Sequence, residues 1–111
     1  MIRAQDLVNA IDQLHADVLD RWIALGWVVP LGAEGITAFE EADAARVRLI
    51  CDLVYDLEIK EEDVPVILSL LDQLHDARRM LRAMAEAVGE QPEAVQRQIA
   101  SRFKVAVGQF P

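Results

Sequence analysis

The sequence predicts a mainly α fold of four to five helices with one small β-hairpin and a long C-terminal helix or helical hairpin. Three observations carry that expectation. Apolar residues recur at intervals of three and four along most of the chain, the period of a helix with one buried face. Glycine and proline are scarce, 5 and 4 among 111 residues, and several fall where a helix should start or stop. Residues 27–39 abandon helical spacing for β-branched and aromatic residues around a Pro/Gly-rich turn.

Leu7, Val8 and Ile11 define a first short helix over residues 3–11, and Asp12-Gln13-Leu14-His15 interrupts it as a tight turn. Val18, Leu19, Trp22 and Ile23 share one side of a second helix over residues 16–25. Gly26 follows where a left-handed C-terminal residue is wanted. Two short helices on a tight turn make a helix-turn-helix shape. Trp27-Val28-Val29 and Ile36-Thr37-Ala38-Phe39, flanking Pro30-Leu31-Gly32-Ala33-Glu34-Gly35, then read as a hairpin, the candidate wing.

The third helix carries Val47, Ile50, Cys51, Val54 and Leu57 at helical intervals, with Glu40, Glu41 and Asp43 placed to complement its positive end. A fourth begins near Lys60 or Glu61 and runs to about Val88. Its first turn tolerates Pro65, because amides there have no helical acceptor. Along it Val64, Ile67, Leu71, Leu74, Leu81, Ala85 and Val88 follow a coiled-coil-like spacing broken only by Arg78. Gly89 ends this helix, and Pro92-Glu93 opens a last one with Val95, Ile99, Phe103 and Val107 on one face. The expected organisation is a winged-helix core over residues 1–60 and a long helix plus C-terminal helix over 61–111, within one domain. The last two helices fold as a hairpin or pair with a second chain as a homodimer.

Composition narrows the function. With 53% hydrophobic residues the chain has material for one core. No apolar run approaches the roughly 20 residues of a membrane helix, and Asp6 interrupts the stretch a secretory signal would need, so a cytoplasmic protein is expected. Nineteen acidic against 11 basic residues give a net charge of -8, a field that repels nucleic acid and attracts basic surfaces. Six of the basic residues lie between Arg78 and Lys104, which leaves the first 75 residues strongly acidic.

No catalytic, cofactor-binding or metal-binding set emerges. Gly32 and Gly35 lack the spacing and following lysine of a phosphate loop, and no Gly-x-Ser-x-Gly or His-Glu-x-x-His occurs. His15, His75 and the lone Cys51 make a poor zinc set, and Cys51 suits a small buried hydrophobe. Glu40-Glu41 and Glu61-Glu62-Asp63 sit at helix starts, where the helix dipole accounts for them without catalysis. The expectation is therefore a non-enzyme.

The order helix, turn, helix, hairpin, helix, long helix resembles the MerR family. The stretch that carries it is Val18-Leu19-Asp20-Arg21-Trp22-Ile23-Ala24-Leu25-Gly26-Trp27-Val28-Val29-Pro30, with Gly26 and Pro30 in register and Trp22 at an aromatic position. The family's wing pattern falls on Gly35-Ile36-Thr37-Ala38-Phe39. That family's DNA-contacting arginines, however, fall on Asp20 and Thr37, so two charge-assisted phosphate contacts are missing.

A closer resemblance is to the chaperone modulator (CbpM) family, carried by Leu25-Gly26-Trp27-Val28-Val29-Pro30, Phe39-Glu40-Glu41-Ala42-Asp43-Ala44-Ala45, Asp56-Leu57-Glu58-Ile59 and Val64-Pro65-Val66-Ile67-Leu68-Ser69-Leu70-Leu71-Asp72. The resemblance implies binding to, and inhibition of, the J-domain of a DnaJ-like cochaperone of the curved-DNA-binding protein A type. J-domains as a class present a basic helix to Hsp70, and an acidic module is suited to cover it. The expected contacts are the carboxylates of Asp20, Glu40, Glu41, Glu61, Glu62 and Asp63 with Trp27 as an apolar anchor. The alternative is a MerR-like DNA-binding transcriptional regulator, which needs a local basic surface.

Overall fold

The computed structural model describes residues 1–32 and 35–109. Its elements are mainly helical and run β1 (Ile2–Arg3), α1 (Ala4–Ala10), α2 (Ala16–Ala24), β2 (Ala38–Phe39), α3 (Glu41–Cys51), α4 (Val64–Gly89) and α5 (Glu93–Gly108). A π-helical turn, Asp52–Asp56, continues α3, and a 3-10 turn, Glu61–Asp63, precedes α4. The two strands pair antiparallel, with Ile2 opposite Phe39 and Arg3 opposite Ala38. The chain forms two compact units, Met1–Ser69 and Leu70–Pro111.

Among the described residues, all the buried ones belong to the first unit. Leu7 of α1, Leu19 and Trp22 of α2, Phe39 of β2, and Ala44, Val47 and Ile50 of α3 meet in one cluster that Val64 and Leu68 complete from the first turns of α4. Burial of each large side chain there contributes about 1.5–3 kcal/mol. None of α1, α2, α3 or α5 has a side-chain cap hydrogen bond. Each instead carries acid in its first turn, Asp6, Asp17, Glu41 with Asp43, and Glu93, which offsets the positive end of the helix.

The end of α2 shows how a local sequence sets the direction of the chain. Gly26 has φ +77°, its amide bonds to the Ile23 carbonyl at 3.0 Å, and the Trp27 amide bonds to the Trp22 carbonyl at 3.0 Å. These paired bonds form a Schellman motif, which reverses the chain beneath the helix and brings Trp27 against Trp22.

The segment expected to form a wing differs from a hairpin. Ala38-Phe39 pair with the N-terminal strand, not with Trp27-Val28-Val29. The Leu31 amide still reaches the Ala38 carbonyl at 2.8 Å. The reason lies in where the backbone groups of residues 27–30 go. The Trp27 amide is taken by α2, its carbonyl by the Arg46 guanidinium, and the Val29 amide by Asp43 Oδ1 at 3.1 Å, while Pro30 has no amide. Trp27 and Val28 are both buried, which an alternating strand would not allow. The turn expected around Ala33-Glu34 lies outside the described residues.

The third helix also departs from its expected face. The π-helical turn advances the register, so Leu53 is 8% exposed and Leu57 is 66% exposed. The expected continuation of the buried stripe through Leu57 is therefore replaced by Leu53. Glu58 follows with φ +55° and stops the helix. In the second unit the stripe along α4 and the face of α5 stay uncovered, and no described residue from Leu70 onward is buried.

Candidate partner-binding site

The first unit carries 14 acidic and 5 basic residues, a net charge of -9, while the second carries 5 acidic and 6 basic. The acidity of the chain thus belongs to Met1–Ser69. Three of the five cations in that unit are engaged: Arg3 pairs with Asp6, Arg21 with Glu61, and Arg46 holds the Trp27 carbonyl. What the unit offers to solution is mainly carboxylate, with Arg48 and Lys60 as exposed cations.

Asp20 lies on α2 and is exposed. It lines a groove of about 360 Å³ with Arg3, Val8, Ile36 and Thr37. Asp20 and Thr37, the two positions where the MerR pattern has arginine, are therefore brought to the walls of one groove. Glu61 is half-buried and tied across to α2 by Arg21, which links the 3-10 turn to that helix. Glu62 and Asp63 follow on that turn and are exposed. Glu40 and Glu41 are exposed at the start of α3.

Trp27 stands apart from these carboxylates. It is 8% exposed, and its ring stacks on Trp22 with centroids 6.2 Å apart and planes at 28°. A ring so placed has little surface to offer as an anchor, and its contribution is to core packing and to the path of residues 27–30. Trp22 Nε1 is buried with no hydrogen-bond partner among the described residues. The exposed apolar side chains of this unit are elsewhere, at Leu25, Val29, Ile36, Leu57 and Val66 among others. Asp43 was expected only to complement a helix dipole. Its bond to the Val29 amide was not visible in the sequence, because it joins residues fourteen positions apart.

The chemistry of the remaining polar groups is muted. Cys51 is 5% exposed, and burial, with Asp52 and Asp56 nearby, pushes its thiol up to about 11. It is protonated at neutral pH and is a poor nucleophile. Burial likewise raises the Tyr55 hydroxyl above its ordinary value, with Cys51 and Glu61 adding to the effect. His15 is exposed at the start of α2, and His75 is exposed on α4. Among the described residues no three His, Cys, Asp or Glu side chains converge as a metal set. No helix among them is long and apolar enough to cross a membrane.

The chain matches no protein-family model, no curated protein and no solved structure.

Proposed function

We propose that this chain is a chaperone modulator: it binds the J-domain of a DnaJ-like cochaperone of the curved-DNA-binding protein A type and holds it away from Hsp70. The observation that carries this reading is the segregation of charge, with a net charge of -9 confined to Met1–Ser69. Asp20, Glu40, Glu41, Glu62 and Asp63 are exposed there, and Glu61 is half-buried and paired with Arg21. A basic helix approaching that unit is attracted at long range and guided to it. Close contact then draws on exposed apolar side chains such as Ile36 beside the Asp20 groove.

The mechanism is competitive masking. Carboxylates of the modulator pair with the basic residues that the J-domain uses on Hsp70, so one surface cannot serve both. The mainly helical first unit and the CbpM-like segments support this reading, and a groove lined by Asp20 and Thr37 is poorly equipped for phosphate.

The second reading is a MerR-like regulator that contacts DNA. It is favoured by Arg78, Arg79 and Arg82, which with His75 line a shallow depression on α4. Asp72 and Asp76 line the same depression, and Asp76 pairs with Arg79, which offsets much of that charge. Calorimetric titration against an isolated J-domain at moderate salt separates the two. Binding in the range of tens of micromolar or tighter supports the modulator, and no heat at that concentration rejects it. Salt-sensitive binding to duplex DNA in its place establishes the regulator.

A further inference from the structure

The groove that Asp20 lines in the first unit has spent most of its hydrogen-bond donors within the chain and kept its acceptors. Its volume is about 360 Å³, at the small end of ligand-sized clefts. Arg3 is the cation on its wall, and Asp6 balances that charge, accepting from Nε at 3.2 Å and from a terminal nitrogen at 3.4 Å. Gln5 gives its side-chain amide to Asn9 Oδ1 at 3.0 Å, and the Ala4 amide goes to the Thr37 carbonyl at 2.8 Å. The Asp20 carboxylate, by contrast, makes no hydrogen bond or ion pair with any described residue, and Gln5 Oε1 and the Thr37 hydroxyl remain as further acceptors. The apolar lining is Leu19, 1% exposed, with half-buried Val8 and the exposed Ile36. Open acceptors around one carboxylate, above apolar surface, suit a long cationic side chain, whose methylene stem covers the apolar part while its head reaches the charge.

We infer that this groove seats one lysine or arginine side chain of the protein partner, its stem against Val8, Leu19 and Ile36 and its charged head at Asp20. The inference rests on the J-domain reading and adds to it the carboxylate that fixes the docked position. Glu40, Glu41, Glu62 and Asp63 are exposed as well, yet none of them lines this groove, so they draw a basic helix in without gripping a single side chain. An anionic occupant is disfavoured twice, by the neutralised Arg3 and by the net charge of -9 on the unit. A free polyamine carries the right charge, but it brings no surface to cover Ile36, which is 56% exposed.

The test is calorimetric titration of an isolated J-domain against the full chain at about 0.15 M salt, where steering is damped. Asp20→Asn and Asp12→Asn each remove one exposed carboxylate, the first inside the groove and the second outside it. Ile36→Ser and Val29→Ser do the same for an exposed apolar side chain. Asp20→Asn should weaken binding about tenfold and Ile36→Ser about threefold, while the two outside variants stay within about twofold of the wild type. Replacing the lysines and arginines of the J-domain by methionine one at a time should find one whose loss weakens the wild type and leaves Asp20→Asn unchanged, the non-additivity of a direct pair. Emission from the buried Trp22 and Trp27 confirms that the first unit stays folded in each variant. Equal losses in Asp20→Asn and Asp12→Asn, or no J-domain cation coupled to Asp20, overturn the inference and leave the J-domain reading standing. Unchanged J-domain binding by Asp20→Asn, with an Asp20-dependent heat for spermidine alone, assigns the groove to a free amine and overturns it too. A wild type that binds no J-domain removes that reading and this inference with it.

Discussion

Trp27 donates its amide to the Trp22 carbonyl at 3.0 Å while the two indoles stack with their centroids 6.2 Å apart. One pair of residues thus closes the end of α2 and joins the start of the 27–32 segment to the core. The hydrophobic contact that usually accompanies a Schellman motif is made here by the two largest side chains in the protein.

The motif depends on Gly26, whose φ of +77° is unfavourable for any residue with a Cβ. A Cβ there would meet no other atom, so the cost of substitution is conformational alone. Gly26→Ala should destabilise the first unit by about 1 kcal/mol, and Gly26→Asn by less, since asparagine tolerates the left-handed region. Urea unfolding followed by tryptophan emission measures both. Equal stabilities for glycine and alanine would show that the reversal is set by something other than this residue.

Asp43 and Arg46 hold the segment that follows. The carboxylate accepts the Val29 amide at 3.1 Å, and the guanidinium donates to the Trp27 carbonyl, so two side chains of α3 replace a strand ladder. Asp43→Ala leaves the exposed Val29 amide to water and should cost about 0.5–1 kcal/mol. Asp43→Asn keeps an acceptor and should recover part of that loss. Hydrogen exchange at the Val29 amide, faster in the alanine variant and intermediate in the asparagine variant, gives a local check.

These contacts also mark where the sequence was legible. The helices over residues 4–10 and 16–24, the stop at Gly26, and the start of α5 after Pro92 follow from local spacing and capping, and they were visible. The pairing of Ala38-Phe39 with Ile2-Arg3 was not, because it joins distant segments while the nearer candidate, Trp27-Val28-Val29, has strong β propensity. The π-helical turn escaped notice for a related reason. Leu53 and Leu57 are both leucine, and only the inserted register, ended at Glu58 with no glycine to announce it, decides that Leu53 goes inward. Among the candidate site residues, the exposed carboxylates were readable from charge and helix position. The burial of Trp27 was not, since it follows from the Schellman turn, and neither was the tie between Arg21 and Glu61, forty positions apart.

Cys51 gives the folded state a dependence on alkaline pH. The folded thiol holds its proton up to about pH 11, whereas the reference value is 9.0. Between these values the unfolded chain has released a proton that the folded chain retains, so stability is full below pH 9 and falls as pH rises toward 11. The loss attributable to this group is at most about 2–3 kcal/mol. Tyr55, raised in the same direction, adds to it. Cys51→Ala should flatten the slope of unfolding free energy against pH without abolishing it. Alkylation of the native thiol at neutral pH should be slow and should accelerate in urea; rapid native labelling would contradict the burial of this side chain.

Steering by the acidic unit predicts a kinetic signature. Glu62→Lys with Asp63→Lys, both exposed and next to the Arg21–Glu61 pair, should slow association with a J-domain about tenfold at low salt. The difference should shrink as ionic strength rises above about 0.15 M. Stopped-flow association across a salt series reads both effects, and a salt-independent rate in the wild type would remove steering from the mechanism.

The masking claim itself is tested most directly by Hsp70 ATP hydrolysis stimulated by the cochaperone and titrated with this chain. Stimulation should fall in proportion to J-domain occupancy and return when excess Hsp70 competes for the same surface. Full stimulation with the J-domain saturated by this chain would contradict it, because the two proteins would then be using different faces.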